Sequence, residues 1–140
     1  MIMRQRQRVL FLCTGNSARS QMAEGLLRHL AGEQFEVFSA GTRPVGLNPN
    51  AVKAMSEIGI DISGARSKSV DEFENQKFDY VFTVCDNARE SCPIFRGGGK
   101  RLHHSFEDPA AAPPEQQLEA FRKVRDEINS RLREFVCDGE

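Results

Sequence analysis

The chain has 140 residues, and its 19 lysines and arginines nearly cancel its 20 aspartates and glutamates. That length suits one domain around one core, and the balanced charge supplies no field for nucleic acid or an acidic membrane. No apolar run approaches the ~20 residues of a membrane-crossing helix, and the Arg/Gln-rich start has no apolar stretch and cleavage site of a secretory leader.

The expectation is therefore a single cytoplasmic domain over residues 1–140, monomeric, with residues 1–7 frayed. Arg4, Arg6 and Arg8 alternate with Gln5 and Gln7 and no aromatic joins them, which reads as a solvated lead-in rather than an RNA contact. The four cysteines, in a reducing compartment, point to catalysis or metal binding before disulfides.

In chain order, residues 8–12 read as a strand built on Val9-Leu10-Phe11-Leu12. Residues 20–30 read as a helix with Met22, Leu26, Leu27 and Leu30 on one side. Residues 35–39 form a second strand closed by Ala40-Gly41. Asn48-Pro49 opens a helix carrying Val52, Met55 and Ile58, and Gly59 ends it. A short helical turn fits residues 71–75, a third strand residues 79–84, and a short fourth strand residues 101–104. After the loop from Asp108-Pro109 to Pro113-Pro114, Leu118, Phe121, Val124, Ile128, Leu132 and Phe135 recur at three- and four-residue spacings, which predicts a long amphipathic helix. Alternating β and α elements predict an α/β fold: a four-stranded parallel sheet between helical layers on both faces. Ligands bind such sheets beyond the C-terminal ends of the strands. Cys13 and Cys85 both fall there.

Cys13 opens the loop Cys13-Thr14-Gly15-Asn16-Ser17-Ala18-Arg19-Ser20 between a buried strand and a helix. A tight loop points successive backbone N–H groups inward, and the helix N-terminus adds a positive dipole end. Both favour an oxyanion held by Thr14, Gly15, Asn16, Ser17, Ala18 and Arg19, and both favour thiolate over thiol at Cys13. Arg19 adds a planar fork of donors. The competing reading is a buried structural cysteine beside an ordinary surface arginine.

Cys85 and Cys92 stand seven residues apart. On a helix that is two turns, or roughly 10 Å, too far for a disulfide unless the segment unwinds. The spacing fits zinc poorly, and two unrelated thiols remain the plain alternative. Gly97-Gly98-Gly99, just downstream, could absorb an unwinding. Asp108-Pro109 suits either a proton donor over the anion site or a turn cap, and the pattern alone divides evenly between them.

These residues carry a resemblance. The stretch from Cys13 to Gly25 is similar to the phosphate loop and first helix of the low-molecular-weight protein tyrosine phosphatases. Within that superfamily the chain most resembles the thioredoxin-coupled arsenate reductases, through Ser39-Ala40-Gly41, Asn48-Pro49, Gly59-Ile60-Asp61-Ile62-Ser63, Val84-Cys85-Asp86-Asn87-Ala88, Cys92-Pro93 and Phe106-Glu107-Asp108-Pro109-Ala110. The phosphatases usually place tyrosine after that proline and lack the Cys85/Cys92 pair, whereas Ala110 and Ala111 follow Pro109 here.

The resemblance implies a flavodoxin-like fold and a thiol relay that reduces arsenate to arsenite. Cys13 attacks arsenic in a cradle completed by Arg19, Ser20 hydrogen-bonds its thiolate, and Asp108 protonates the leaving oxygen. Cys85 and then Cys92 carry the disulfide to thioredoxin. It implies no resident metal or cofactor. Some relatives bind potassium through residues matching Asn16, Glu24 and Ser39. Here Lys68 stands where an acidic residue usually completes that site, and its ammonium would take the cation's place. The alternatives are a phosphatase, and a thiol sensor without turnover, which would need neither Arg19 nor Asp108. Cys137, in the last turn of the final helix, is assigned no role, and the His103-His104 pair reads as structural rather than metal-binding, because adjacent strand side chains point to opposite faces.

Overall fold

The computed structural model describes residues 5–86 and 99–138. Strand β1 is Gln7–Cys13, followed by helix α1, Arg19–Ala31, and strand β2, Phe35–Gly41. Helix α2 is Pro49–Ser56, a 3-10 turn covers Val70–Phe73, and strands β3 and β4 are Tyr80–Thr83 and Lys100–His103. Two further 3-10 turns, Pro109–Ala111 and Pro114–Gln116, lead into helix α3, Gln117–Asp138.

The four strands form one parallel sheet in the order β2-β1-β3-β4. Val9 to Leu12 have no solvent exposure, which is why β1 reads as a continuous apolar run: a central parallel strand is covered on both faces. The register sets Val9 beside Val37 on β2 and Tyr80 on β3. The face they share receives α3 through Phe135, whose ring lies 5.3 Å from Phe35, 5.0 Å from Tyr80 and 6.0 Å from Phe82. Helices α1 and α2 pack against α3 in the same layer. The opposite face, among the described residues, is covered by the 3-10 turn Val70–Phe73 and Phe78, whose rings meet Phe38 at 5.7 Å each.

The sheet begins at Gln7, which pairs with Phe35, one residue earlier than the sequence predicts. Arg8 does not lie free in solvent. Its guanidinium sits 4.7 Å from the ring centroids of both Phe38 and Phe78 and bonds Glu36, Gln76 and the Lys77 carbonyl. Helix α2 starts as expected, with the Asn48 carboxamide oxygen accepting from the Asn50 N–H at 2.8 Å and Pro49 in the first turn. Its regular part stops at Ser56, and tight turn bonds carry the chain to Gly59 at φ +81°, a conformation that favours glycine.

Phe135 has no exposed surface and meets three rings from two strands, Phe35 on β2 and Tyr80 and Phe82 on β3. Phe135→Ala is expected to lower unfolding stability by about 3–5 kcal/mol in urea titration; a loss within the scatter of a surface substitution would contradict this placement of α3.

Candidate active site

The end of β1 and the start of α1 enclose a loop whose shape is set from outside. The carbonyl oxygens of Cys13, Thr14, Gly15 and Ser17 accept, in turn, from the N–H groups of Thr42, Arg43, Val45 and Asn48, at 3.2, 2.8, 3.0 and 2.9 Å. The Asn16 carbonyl accepts from the Gln21 carboxamide at 3.2 Å. Five successive carbonyls therefore face outward, and their partner amides are turned to the inside, the arrangement that binds an anion. Among the described residues no side chain caps the N-terminus of α1, and its first turn carries no acidic residue, which suits that end to an anion.

Cys13 Sγ is buried beneath this loop. It lies 2.8 Å from Ser20 Oγ and accepts the Asn16 backbone N–H at 3.2 Å. Asn16 makes that approach by taking φ +45°, which asparagine tolerates better than most side chains. Its carboxamide donates to Ser20 Oγ at 2.8 Å and to Ser39 Oγ at 3.0 Å, and accepts from Gln21 Nε2 at 3.1 Å and from the Lys68 N–H at 2.7 Å. Ser39 in turn donates to Glu24 at 2.6 Å, and Glu24 is bound by Arg28 at 2.7 Å. The Lys68 ammonium lies 4.0 Å from Glu24 and donates to the Arg66 carbonyl at 2.8 Å. Burial pushes Lys68 below its ordinary pKa, with the Glu24 carboxylate opposing the shift.

The structure brings most of the sequence-selected residues to this one point. Arg19 Nη1 donates to the Phe106 carbonyl at 3.1 Å, which ties the anion loop to the segment bearing Asp108; the guanidinium carries five donors in all. Asp108 is exposed and caps a 3-10 turn, its Oδ1 accepting from the Ala110 N–H at 3.0 Å. That is the turn-cap geometry. Cys85 follows β3, whose Thr83 is in register with Leu12, and the Val84 N–H donates to the Leu12 carbonyl at 2.9 Å. Neighbouring parallel strands thus deliver both thiols to one sheet edge, where Thr14 Oγ1 lies 3.4 Å from Cys85 Sγ. Cys92, Gly97 and Gly98 lie outside the described residues.

His103 bridges Thr83 Oγ1 at 2.7 Å and Asp86 at 3.0 Å, while His104 stacks on Phe106 at 4.2 Å. Among the described residues, no three His, Cys, Asp or Glu side chains converge to hold a metal ion, and no helix is long and apolar enough to cross a membrane. Cys137 is exposed near the end of α3.

Sequence reasoning missed the segment from Thr42 to Asn48, which shapes the loop with backbone N–H groups that leave no side-chain signature. It also missed Gln21. The one available signal was Gly41: a methyl group there would lie 2.6 Å from the Thr14 carbonyl oxygen and 2.8 Å from the Asn16 nitrogen.

A family model described as low molecular weight phosphotyrosine protein phosphatase matches residues 8–138. An arsenate reductase from Halalkalibacterium halodurans is 48% identical over 134 residues, covering 94% of this chain and 96% of its own. A solved arsenate reductase in its oxidized state superimposes with a TM-score of 0.82 at 31% identity, covering 94% of this chain and 97% of its own. The Corynebacterium glutamicum thioredoxin-dependent arsenate reductase superimposes with a TM-score of 0.73 at 32% identity, over 96% of this chain and 62% of that one.

Gly41→Ala is expected to push the anion loop off its position, lowering stability by about 1–3 kcal/mol and abolishing the rise in melting temperature produced by added phosphate or arsenate. Gly64→Ala is the control, since a methyl there meets nothing within 4 Å. Equal behaviour of the two variants would refute the close-approach argument.

Proposed function

The chain belongs to the low molecular weight phosphotyrosine protein phosphatase family, and from that premise we propose that it reduces arsenate to arsenite through a three-thiol relay recharged by thioredoxin. The observation that carries this reading is the pair of thiols at one anion cradle. Cys13 lies under the loop, and Cys85 lies 3.4 Å from the hydroxyl of Thr14 in the same loop. Hydrolysis of a phosphoester needs the first thiol and has no use for the second. The name of the Halalkalibacterium relative, and the thioredoxin dependence in the name of the Corynebacterium neighbour, point the same way.

In this mechanism the Cys13 thiolate attacks arsenic(V) while the inward amides of Thr14 to Arg19 and the Arg19 guanidinium hold the remaining oxygens. Ser20 Oγ and the Asn16 N–H, both on Cys13 Sγ, stabilise the thiolate. One oxygen leaves as water, its proton supplied by Asp108. The Cys85 thiolate then attacks Cys13 Sγ. The sulfur–arsenic bond breaks with its electron pair going to arsenic, arsenite departs, and a Cys13–Cys85 disulfide forms. Cys92 attacks Cys85 Sγ, Cys13 leaves as thiolate, and the Cys85–Cys92 disulfide is reduced by the thioredoxin dithiol in two exchange steps. Phosphorus(V) does not accept the electron pair under these conditions, so phosphate or an aryl phosphate gives at most a thiophosphate at Cys13 that water hydrolyses. The alternative main activity, a phosphatase, draws on the same cradle. It lacks support from the residues after Pro109, which are Ala110 and Ala111 rather than tyrosine.

Two outcomes are expected. With thioredoxin, its reductase and NADPH, arsenate drives sustained NADPH oxidation by the wild type, and Cys92→Ser stops after about one equivalent because each molecule is trapped at one disulfide. Aryl phosphate hydrolysis without arsenate-dependent oxidation would reassign the chain to the phosphatases. Replacing sodium by potassium at constant ionic strength is expected to leave the turnover rate unchanged, because the Lys68 ammonium already faces Glu24 beside the Asn16–Ser39 pair. A strong potassium dependence would overturn that role for Lys68.

A further inference from the structure

Proton donation by Asp108 requires its carboxyl to be held at a fixed distance from the cradle, yet Asp108 sits on an exposed segment between β4 and α3. Upstream, the Arg19 bond to the Phe106 carbonyl provides one tie. Downstream, a second tie runs through residues that none of the chemistry above uses. Gln117, the first residue of α3, donates from Nε2 to the carbonyls of Ala110 and Ala112, at 3.2 and 3.1 Å. These carbonyls lie at the end of the turn that Asp108 caps. Its Oε1 accepts from Asn50 Nδ2 at 3.1 Å. Asn50 sits in the first turn of α2, its N–H bonded to the Asn48 side chain, and the Asn48 N–H donates to the Ser17 carbonyl of the anion loop. The path from the anion loop to the Asp108 turn is therefore closed through Asn48, Asn50 and Gln117.

We propose that Gln117, oriented by Asn50, is a positioning residue that sets the Asp108 carboxyl over the anion cradle. This rests on the reading of Asp108 as proton donor. The Gln117 carboxamide is well suited to the task. It supplies one acceptor and two donors, all three engaged here, so its rotamer is fixed from both sides. The side chains of Gln117 and Asn50 bond each other and the carbonyls after Asp108 rather than a residue of the anion loop, so in the proposed role they act through Asp108. A residue serving only the stability of α3 would lower activity by the same factor whether or not position 108 can donate a proton.

The test is a cycle of four proteins: wild type, Gln117→Ala, Asp108→Asn and the double variant. Each is assayed as reduced full chain for the single-turnover rate of arsenite formation. Asparagine at 108 retains the carbonyl oxygen that caps Ala110 and lacks the acid. Asp108→Asn is expected to slow the reaction by about 10²-fold or more, the usual worth of a general acid. Gln117→Ala is expected to slow it roughly tenfold in the wild-type background, since a misplacement near 1 Å costs up to about 10²-fold, and to have no further effect beside Asp108→Asn. Asn50→Ala is expected to reproduce Gln117→Ala, and it carries the test if Gln117→Ala folds poorly. Equal factors in both backgrounds, or unchanged rates for both Gln117→Ala and Asn50→Ala, would overturn the proposal. An unchanged rate for Asp108→Asn would instead remove the proton-donor reading itself, and the positioning role with it.

Discussion

The site depends on Asn16 holding a left-handed backbone conformation between strand and helix. At φ +45° its N–H turns onto Cys13 Sγ, and its carboxamide bonds Ser20, Ser39, Gln21 and the Lys68 N–H. One buried residue thus joins Cys13, the first helix, the second strand and the loop before the Val70–Phe73 turn. The left-handed conformation costs an L-residue roughly 1–2 kcal/mol, and a buried carboxamide left unbonded would cost more. Both penalties are offset only when all four partners are present, so the loop holds its shape as a unit.

The parallel sheet explains why two thiols from distant parts of the sequence meet at one point. Adjacent parallel strands end together, so β1 and β3 release Cys13 and Cys85 side by side. The thiols therefore stand on the rigid part of the molecule. Asp108 stands on a surface segment after β4, outside the sheet. Side-chain bonds to carbonyls hold that segment, from Arg19 to Phe106 on one side and from Gln117 to Ala110 and Ala112 on the other.

Charge near the cradle is handled locally. Glu24 is nearly buried, and two cations face it: Arg28 at 2.7 Å and Lys68 at 4.0 Å. A buried carboxylate without such partners would repel the oxyanion and lose its own hydration. With them, the Ser39–Asn16 bonds carry an already neutralised group to the loop. The overall charge of −1 gives an arriving anion little attraction, so on the proposed function recognition falls to the loop amides and Arg19.

The sequence by itself determined the element order, the parallel sheet and the loop between the first strand and the first helix. Apolar run length, three- and four-residue periodicity and the Cys13–Ser20 spacing are local properties, and local properties are written residue by residue. It also set Cys85 at a strand end. Tertiary structure alone decided which backbone amides hold the loop carbonyls outward, because the 42–48 segment acts through N–H groups common to almost every residue. It decided that Arg8 is clasped between Phe38 and Phe78 rather than solvated, since those rings are contributed from residues 30 and 70 positions away. Pattern left Asp108 balanced between turn cap and acid. The fold shows the cap and ties the segment two residues upstream to Arg19 through the Phe106 carbonyl, a contact between residues 87 positions apart that no local spacing encodes.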